Sequence, residues 1–211
     1  MDSEKTLILI AVACFIAFRI YRNKARKNRV HLIDTFQFPE IIATKVIEKY
    51  PHLNEKQAAL VVDGLREYFH VCNIAGKKMV SMPSQVVDVA WHEFILFTKQ
   101  YEHFCSKALG RFLHHTPAEA MRSPMVAQSG IKTAWQISCQ RESINPKTPT
   151  HLPVLFALDS TLEIPDGFTY ALNCTTSGKG DFCAAHIGCS SGGNSTDNNG
   201  CGGDSSGCGG D

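Results

Sequence analysis

The densest run of reactive side chains lies between Pro83 and Pro117, in PSQVVDVAWHEFILFTKQYEHFCSKALGRFLHHTP, which carries Asp88, His92, Glu93, His103, Cys105, His114 and His115. Read as helix, Asp88 and His92 are four residues apart and stand one above the other on a single face, with Trp91 and Ile95 turned inward beside them. A carboxylate in that position either fixes an imidazole's tautomer or shares a metal ion with it. His114 and His115 follow Gly110, in a stretch where a chain reversal would return them to the same helix. Asp88, His92, His114 and His115 therefore form a candidate site whose nitrogen and oxygen ligands suit one divalent metal such as zinc, or iron or manganese. The same residues also suit a buried hydrogen-bond network that locks a loop to a helix, or metal-free acid/base chemistry. Cys105, between Phe104 and Ser106 on an apolar-biased helix, reads as a small core residue before it reads as a nucleophile. His103 and Glu93 are expected to face solvent. No P-loop, helix-opening GxGxxG, GxSxG or HExxH occurs, so the common nucleotide, hydrolase and zincin chemistries find no support.

The elements that position these residues are expected to be helical. Pro39 to Tyr50 places Ile41, Ile42, Val46, Ile47 and Tyr50 on one stripe before Pro51. Asn54 and Gln57 read as a capping box that opens a second helix, with Ala58, Val62, Leu65 and Phe69 on one face. A third runs from about Pro83 through Trp91 and Tyr101 to Leu109, where Gly110 stops it. Thr116 to Glu119 forms another capping box, and Ser123-Pro124 restarts a helix carrying Val126, Ile131, Ala134 and Trp135. The fold class is thus all-α, four to five helices over residues 36–178. Prolines multiply from Asn145 to Pro165, and Val154 to Leu158 reads as a short strand or an extended cover within an irregular 145–178 end.

Both ends of the chain differ from this core. Residues 1–5 form a short polar lead, and Thr6 to Phe18 reads TLILIAVACFIAF without a charge. With Arg19 snorkelling, the usable apolar stretch is residues 6–21, about 16 positions against the roughly 20 that span hydrocarbon. A signal peptide would need a basic lead and small residues after the apolar run, and neither is present. Positive charge instead follows the run, at Arg19, Arg22, Lys24, Arg26, Lys27 and Arg29, so the positive-inside rule predicts a single-pass membrane anchor with the main domain cytoplasmic, at the inner membrane in a bacterium. Residues 22–35 read as a basic juxtamembrane linker, and residues 19–29 suit anionic lipid. A buried first helix of a soluble domain is the alternative reading of 6–21.

Residues 179–211 are rich in Gly, Ser, Asn, Asp and Cys and are expected to form a disordered tail. From Cys174 the tail cysteines are separated by 8, 5, 11 and 6 residues, none of them CxxC, although with His186 they offer soft ligands. Only Cys72, Cys105 and Cys139 of the nine cysteines fall in the expected core, which does not resemble a secreted disulfide framework. The 211 residues balance 21 Lys and Arg against 20 Asp and Glu, a net charge of +1, so no bulk field points to nucleic acid.

The stretch from Met82 to Pro117 resembles a group of uncharacterised bacterial proteins sharing a pattern like MPSxxVDxxWHxFILFTxxYxxFCxxxxGRFLHHTP. More distantly, VDVAWH with the later Tyr101 is similar to the glycine-rich-domain-protein family known from plants, in which a VDxxWHxH core occurs. Phe94 stands here in place of that family's second histidine, so no HxH pair carries over. The resemblance implies Asp88, Trp91, His92, Tyr101, His114 and His115 as positions of interest and names no substrate. A membrane-anchored helical module, metal-binding or merely braced at this cluster, is the expectation. The rivals are a metal-dependent enzyme at the cytoplasmic face and a scaffold that binds a protein partner.

Overall fold

The segment RNKARKNR at 22–29 is rich in Arg and Lys, contains neither Gly nor Pro, and continues the preceding helix without a break. In the computed structural model, which describes residues 2–115, 124–172, 182–183 and 187 (the side chains of 2–4, 6–9, 11, 124–127 and 182–183 excepted), a single 34-residue helix α1 spans Asp2–Thr35. The expected linker at 22–35 is therefore helical. Among the described residues no helix is long and apolar enough to cross a membrane, so the expected span at 6–21 is not supported. Several of its side chains lie outside the described ones. Those described are bare: Ile10, Phe15, Ile16, Phe18 and Ile20 are exposed, Phe15 at 62 % and Tyr21 at 71 %.

The C-terminal end of α1 is held by the domain. Ile33 is fully buried, and Arg66 Nη1 donates to the carbonyls of Ile33 (2.5 Å) and Phe36 (3.0 Å), satisfying groups that the helix end leaves open. Beyond it, Phe36 and Phe38 enter a cluster with Phe69, Phe94 and Phe104 at ring separations of 4.6 to 6.1 Å. Edge-to-face geometry predominates there, as ring quadrupoles favour.

Helix α2 (Ile41–Lys49) buries Ile42 and Val46 and leaves Ile41 exposed. The Asn54/Gln57 capping box forms at 2.9 and 3.0 Å and opens α3 (Glu55–Ala75), the central helix, which packs against α1, α2 and the later helices. The expected long third helix is broken: α4 (Gln85–Leu96) ends at Phe97, and α5 (Thr98–Phe104) runs into a π turn at Cys105–Leu109. Gly110 closes it in the left-handed conformation, φ +69°. The Thr116 capping box lies outside the described residues. Helix α6 (Pro124–Arg141) starts with Pro124 at its first position, and Arg141 pairs through two hydrogen bonds with Glu67 of α3.

Val154–Thr161 is a helix, α7, neither the short strand nor the extended cover expected. Pro153 stands at its N-cap and the Glu142 carboxylate accepts from Val154 N at 3.0 Å, which gives this short apolar run a helical start. The close approach of α3 to α4 and α7 is at Gly64, where a Cβ would lie 3.0 Å from Val87 and 3.3 Å from Leu158. Two residues of the expected disordered tail, Phe182 and Cys183, form a strand β2 that pairs in parallel with β1 (Tyr170–Ala171), and Ile187 packs on the core. The remainder of 179–211 lies outside the described residues. Beyond α1, six helices (α2–α7) are described, against four to five expected over residues 36–178, and the class is all-helical.

His70 ties α1 to this frame. Its Nε2 lies 2.8 Å from Asp34 Oδ1, and the ring is buried. Burial pushes its pKa below the ordinary value, and the nearby Arg141 guanidinium adds to this, while Asp34 and Glu67 pull the other way. A lowered folded-state pKa means the unfolded chain binds the proton more readily. The contribution is then complete above the unfolded pKa of about 6.5 and is lost as pH falls below it. Urea-unfolding midpoints measured from pH 8 to pH 5 should fall more steeply for the natural protein than for His70→Gln; parallel curves would contradict this.

Candidate metal centre

Asp88 stands in the first turn of α4, whose start is pinned by a second carboxylate. Asp159 of α7 is buried and accepts from Ser84 Oγ (2.7 Å), Gln85 N (2.7 Å), Val86 N (3.1 Å) and Phe168 N (2.8 Å). Ser84 also caps conventionally, accepting from Val87 N at 3.3 Å. A helix N-terminus otherwise leaves these donors without partners, and the negative charge also complements the helix dipole. Sequence reasoning missed Asp159. Its one signal was a lone carboxylate closing the apolar run Val154 to Leu158.

One turn into α4, His92 Nδ1 donates to the Asp88 carbonyl at 2.9 Å and sits 3.3 Å from Asp88 Oδ2. From the loop after Gly110, His115 Nε2 reaches Asp88 Oδ1 at 3.0 Å. The two imidazole rings are 4.1 Å apart and tilted by 58°. One carboxylate thus lies between two imidazoles, one oxygen toward each. Because the Asp88 carbonyl can only accept, the neutral ring of His92 carries its lone pair on Nε2.

Asp88, His92 and His115 each offer a ligand atom within 4.8 Å of the others. An ion with ligands at about 2.0–2.2 Å separates them by roughly 3–4 Å, so a small inward movement would bring all three onto one ion. Side-chain exposures of 21 % for Asp88, 14 % for His115 and 50 % for His92 leave the centre open on the His92 side.

His114 does not join them. It is exposed, and its ring packs edge-on against Phe112 at 4.8 Å. Adjacent residues in an extended loop point opposite ways, so only one of the pair can face Asp88. Glu93 is partly buried, His103 is exposed, and neither belongs to the cluster. Cys105 is buried and its thiol is pushed up by that burial, which favours the core reading over the nucleophile one.

The loop bearing His115 is held at several points. Arg111 Nε donates to Gly76 O at 2.8 Å, at the end of α3. Trp91 Nε1 donates to Tyr101 Oη at 3.1 Å, and Tyr101 in turn donates to Leu113 O at 2.5 Å. Burial pushes the Tyr101 phenol well up, which keeps it a neutral donor. The Trp91 ring lies edge-on to His115 at 4.6 Å. Trp91 and Tyr101, which helix spacing offered only as core residues and the resemblance as positions of interest, brace the loop together with Arg111.

A family model described as UCP032817-like matches residues 28–190. The chain belongs to the UCP032817-like family. The region that defines this UCP032817-like chain contains the whole Asp88/His92/His115 cluster, Asp159 and the β1–β2 pair, and omits the exposed apolar half of α1. No curated protein and no solved structure matches it.

Proposed function

We propose that this protein is a membrane-attached helical module that holds one divalent metal ion between Asp88, His92 and His115. The observation that carries the reading is the Asp88 carboxylate shared between two imidazoles on a braced loop. A nitrogen/oxygen set of this kind suits zinc, iron or manganese. Attachment is supported by the exposed apolar side chains of α1 from Ile10 to Tyr21, followed by the exposed cations Arg22, Lys24, Arg26 and Lys27. An apolar helical surface beside a basic one is attracted to anionic lipid at the cytoplasmic leaflet.

Cobalt tests the metal part in the full chain. One Co(II) per chain with the visible spectrum of nitrogen and oxygen ligands is the expected result; a spectrum dominated by thiolate charge transfer would assign binding to the tail cysteines and end the proposal. Flotation with phosphatidylserine vesicles, compared with neutral ones, tests attachment. Equal absence from both fractions would remove it.

The open side at His92 favours a second reading, a metal-dependent enzyme. Structural ions take four protein ligands, whereas catalytic ones take three and keep a position for water or substrate. Three are found here among the described residues. Exchangeable cobalt-bound water, detected by proton relaxation, would support an enzyme, and a closed shell would exclude one.

A further inference from the structure

The basic segment of α1 is not uniform. Arg22, Lys24, Arg26 and Lys27 are exposed, but Arg29 is partly buried. Its side chain lies over Gly110: a Cβ built on that glycine would be 2.2 Å from Arg29 Nη2 and 2.8 Å from Cζ. A side chain there would displace the guanidinium from its place, and the φ of +69° independently favours glycine. Gly110 is also where the π turn ends, so its last carbonyls present the negative end of a helix, and a guanidinium is the complementary charge. α1 packs along this turn, and Phe36 carries the contact on to Phe104 at 4.6 Å.

Only four residues lie between Gly110 and His115, and they contain no regular structure. The loop is fixed by Arg111 and Leu113 in its middle and by His115 at its far end. Its root lies beneath the Arg29 side chain of α1. We infer that Arg29 is a positioning residue for the His115 loop: by seating Gly110 against the juxtamembrane helix, it sets where His115 meets Asp88. The inference rests on the metal reading for its functional meaning, though not for its geometry. Arg29 is thereby removed from the lipid-facing set, which ends at Lys27.

Two readouts on the full chain test it. Cobalt affinity is measured by competition with a chelator in the natural protein, Arg29→Ala, Arg29→Lys and the charge control Lys56→Ala. Separately, without metal, the His115 ring resonance is followed by NMR, assigned by its loss in His115→Ala and displaced by the ring current of Trp91. Arg29→Ala is expected to weaken cobalt binding about tenfold, no more than the lower end of the cost of losing a group outside the ligand shell, and to return the His115 resonance toward its free value. Arg29→Lys should recover part of both, keeping the charge without the planar cover, and Lys56→Ala should change neither. Cobalt affinity within twofold of natural together with an unmoved resonance in Arg29→Ala overturns the inference and leaves the metal reading standing. A moved resonance in a protein that takes up no cobalt sustains the positioning role and removes the metal reading.

Discussion

Asp159→Ala is expected to lower the unfolding free energy by about 3–5 kcal/mol, because it strands several buried donors at roughly 1–3 kcal/mol each, with partial relief from water. The donors are Ser84 Oγ and the amides of Gln85, Val86 and Phe168, so the loss loosens the start of α4 and the chain after α7 together. Asp159→Asn should recover little, since it turns an NH2 toward N–H groups that need an acceptor. Asp166 supplies the contrast. It accepts from Tyr50 Oη at 2.8 Å but is half exposed, and Asp166→Ala should cost less than about 1 kcal/mol. Urea denaturation followed by far-UV circular dichroism measures all three. Equal losses for Asp159→Ala and Asp166→Ala would show that the four-donor cap contributes nothing beyond an ordinary surface contact.

The second large effect separates two neighbouring histidines. Asp88→Ala and His115→Ala should each weaken cobalt binding by more than about a hundredfold, beyond the 10–100-fold typical of losing an outer partner, while His114→Ala should leave it unchanged. His92→Ala should match the first two. Asp88 sits on the carboxylate side of both rings, so its removal breaks the 3.0 Å contact to His115 and the 3.3 Å approach to His92 at once. Chelator-competition titration gives the constants. Comparable losses in His114→Ala and His115→Ala would mean that the loop turns over in solution and that the described geometry is not the binding one.

Local chemistry was readable where a few adjacent residues decide it. Asn54 and Gln57 announce a helix start, Gly110 a helix stop, and Asp88 with His92 a shared face, and each stands as those spacings imply. Choices made by distant contacts were not readable. His114 and His115 are identical in sequence terms, and only Trp91 and Asp88, brought over by the Gly110 turn, select the second. Val154 to Leu158 is too short for a period to tell strand from helix, and the Glu142 carboxylate 12 residues earlier settles it. Phe97 breaks an apolar pattern that runs through it unaltered, and the sequence carries no Gly or Pro to mark the break.

The reach of Asp159 has a consequence for biosynthesis. Its carboxylate spans 75 residues of sequence to Ser84, and its own position is secured by Phe168 N. A ribosome adding 5–20 residues per second needs roughly 4–17 s to travel from one partner to the last. Between the synthesis of His115 and that of Asp159 the nascent chain carries Asp88, His92 and His115, but α4 has no carboxylate at its head. Fixing of the α4 start therefore waits for Asp159, and a chain truncated before that residue carries Asp88, His92 and His115 without the carboxylate that holds the head of their helix.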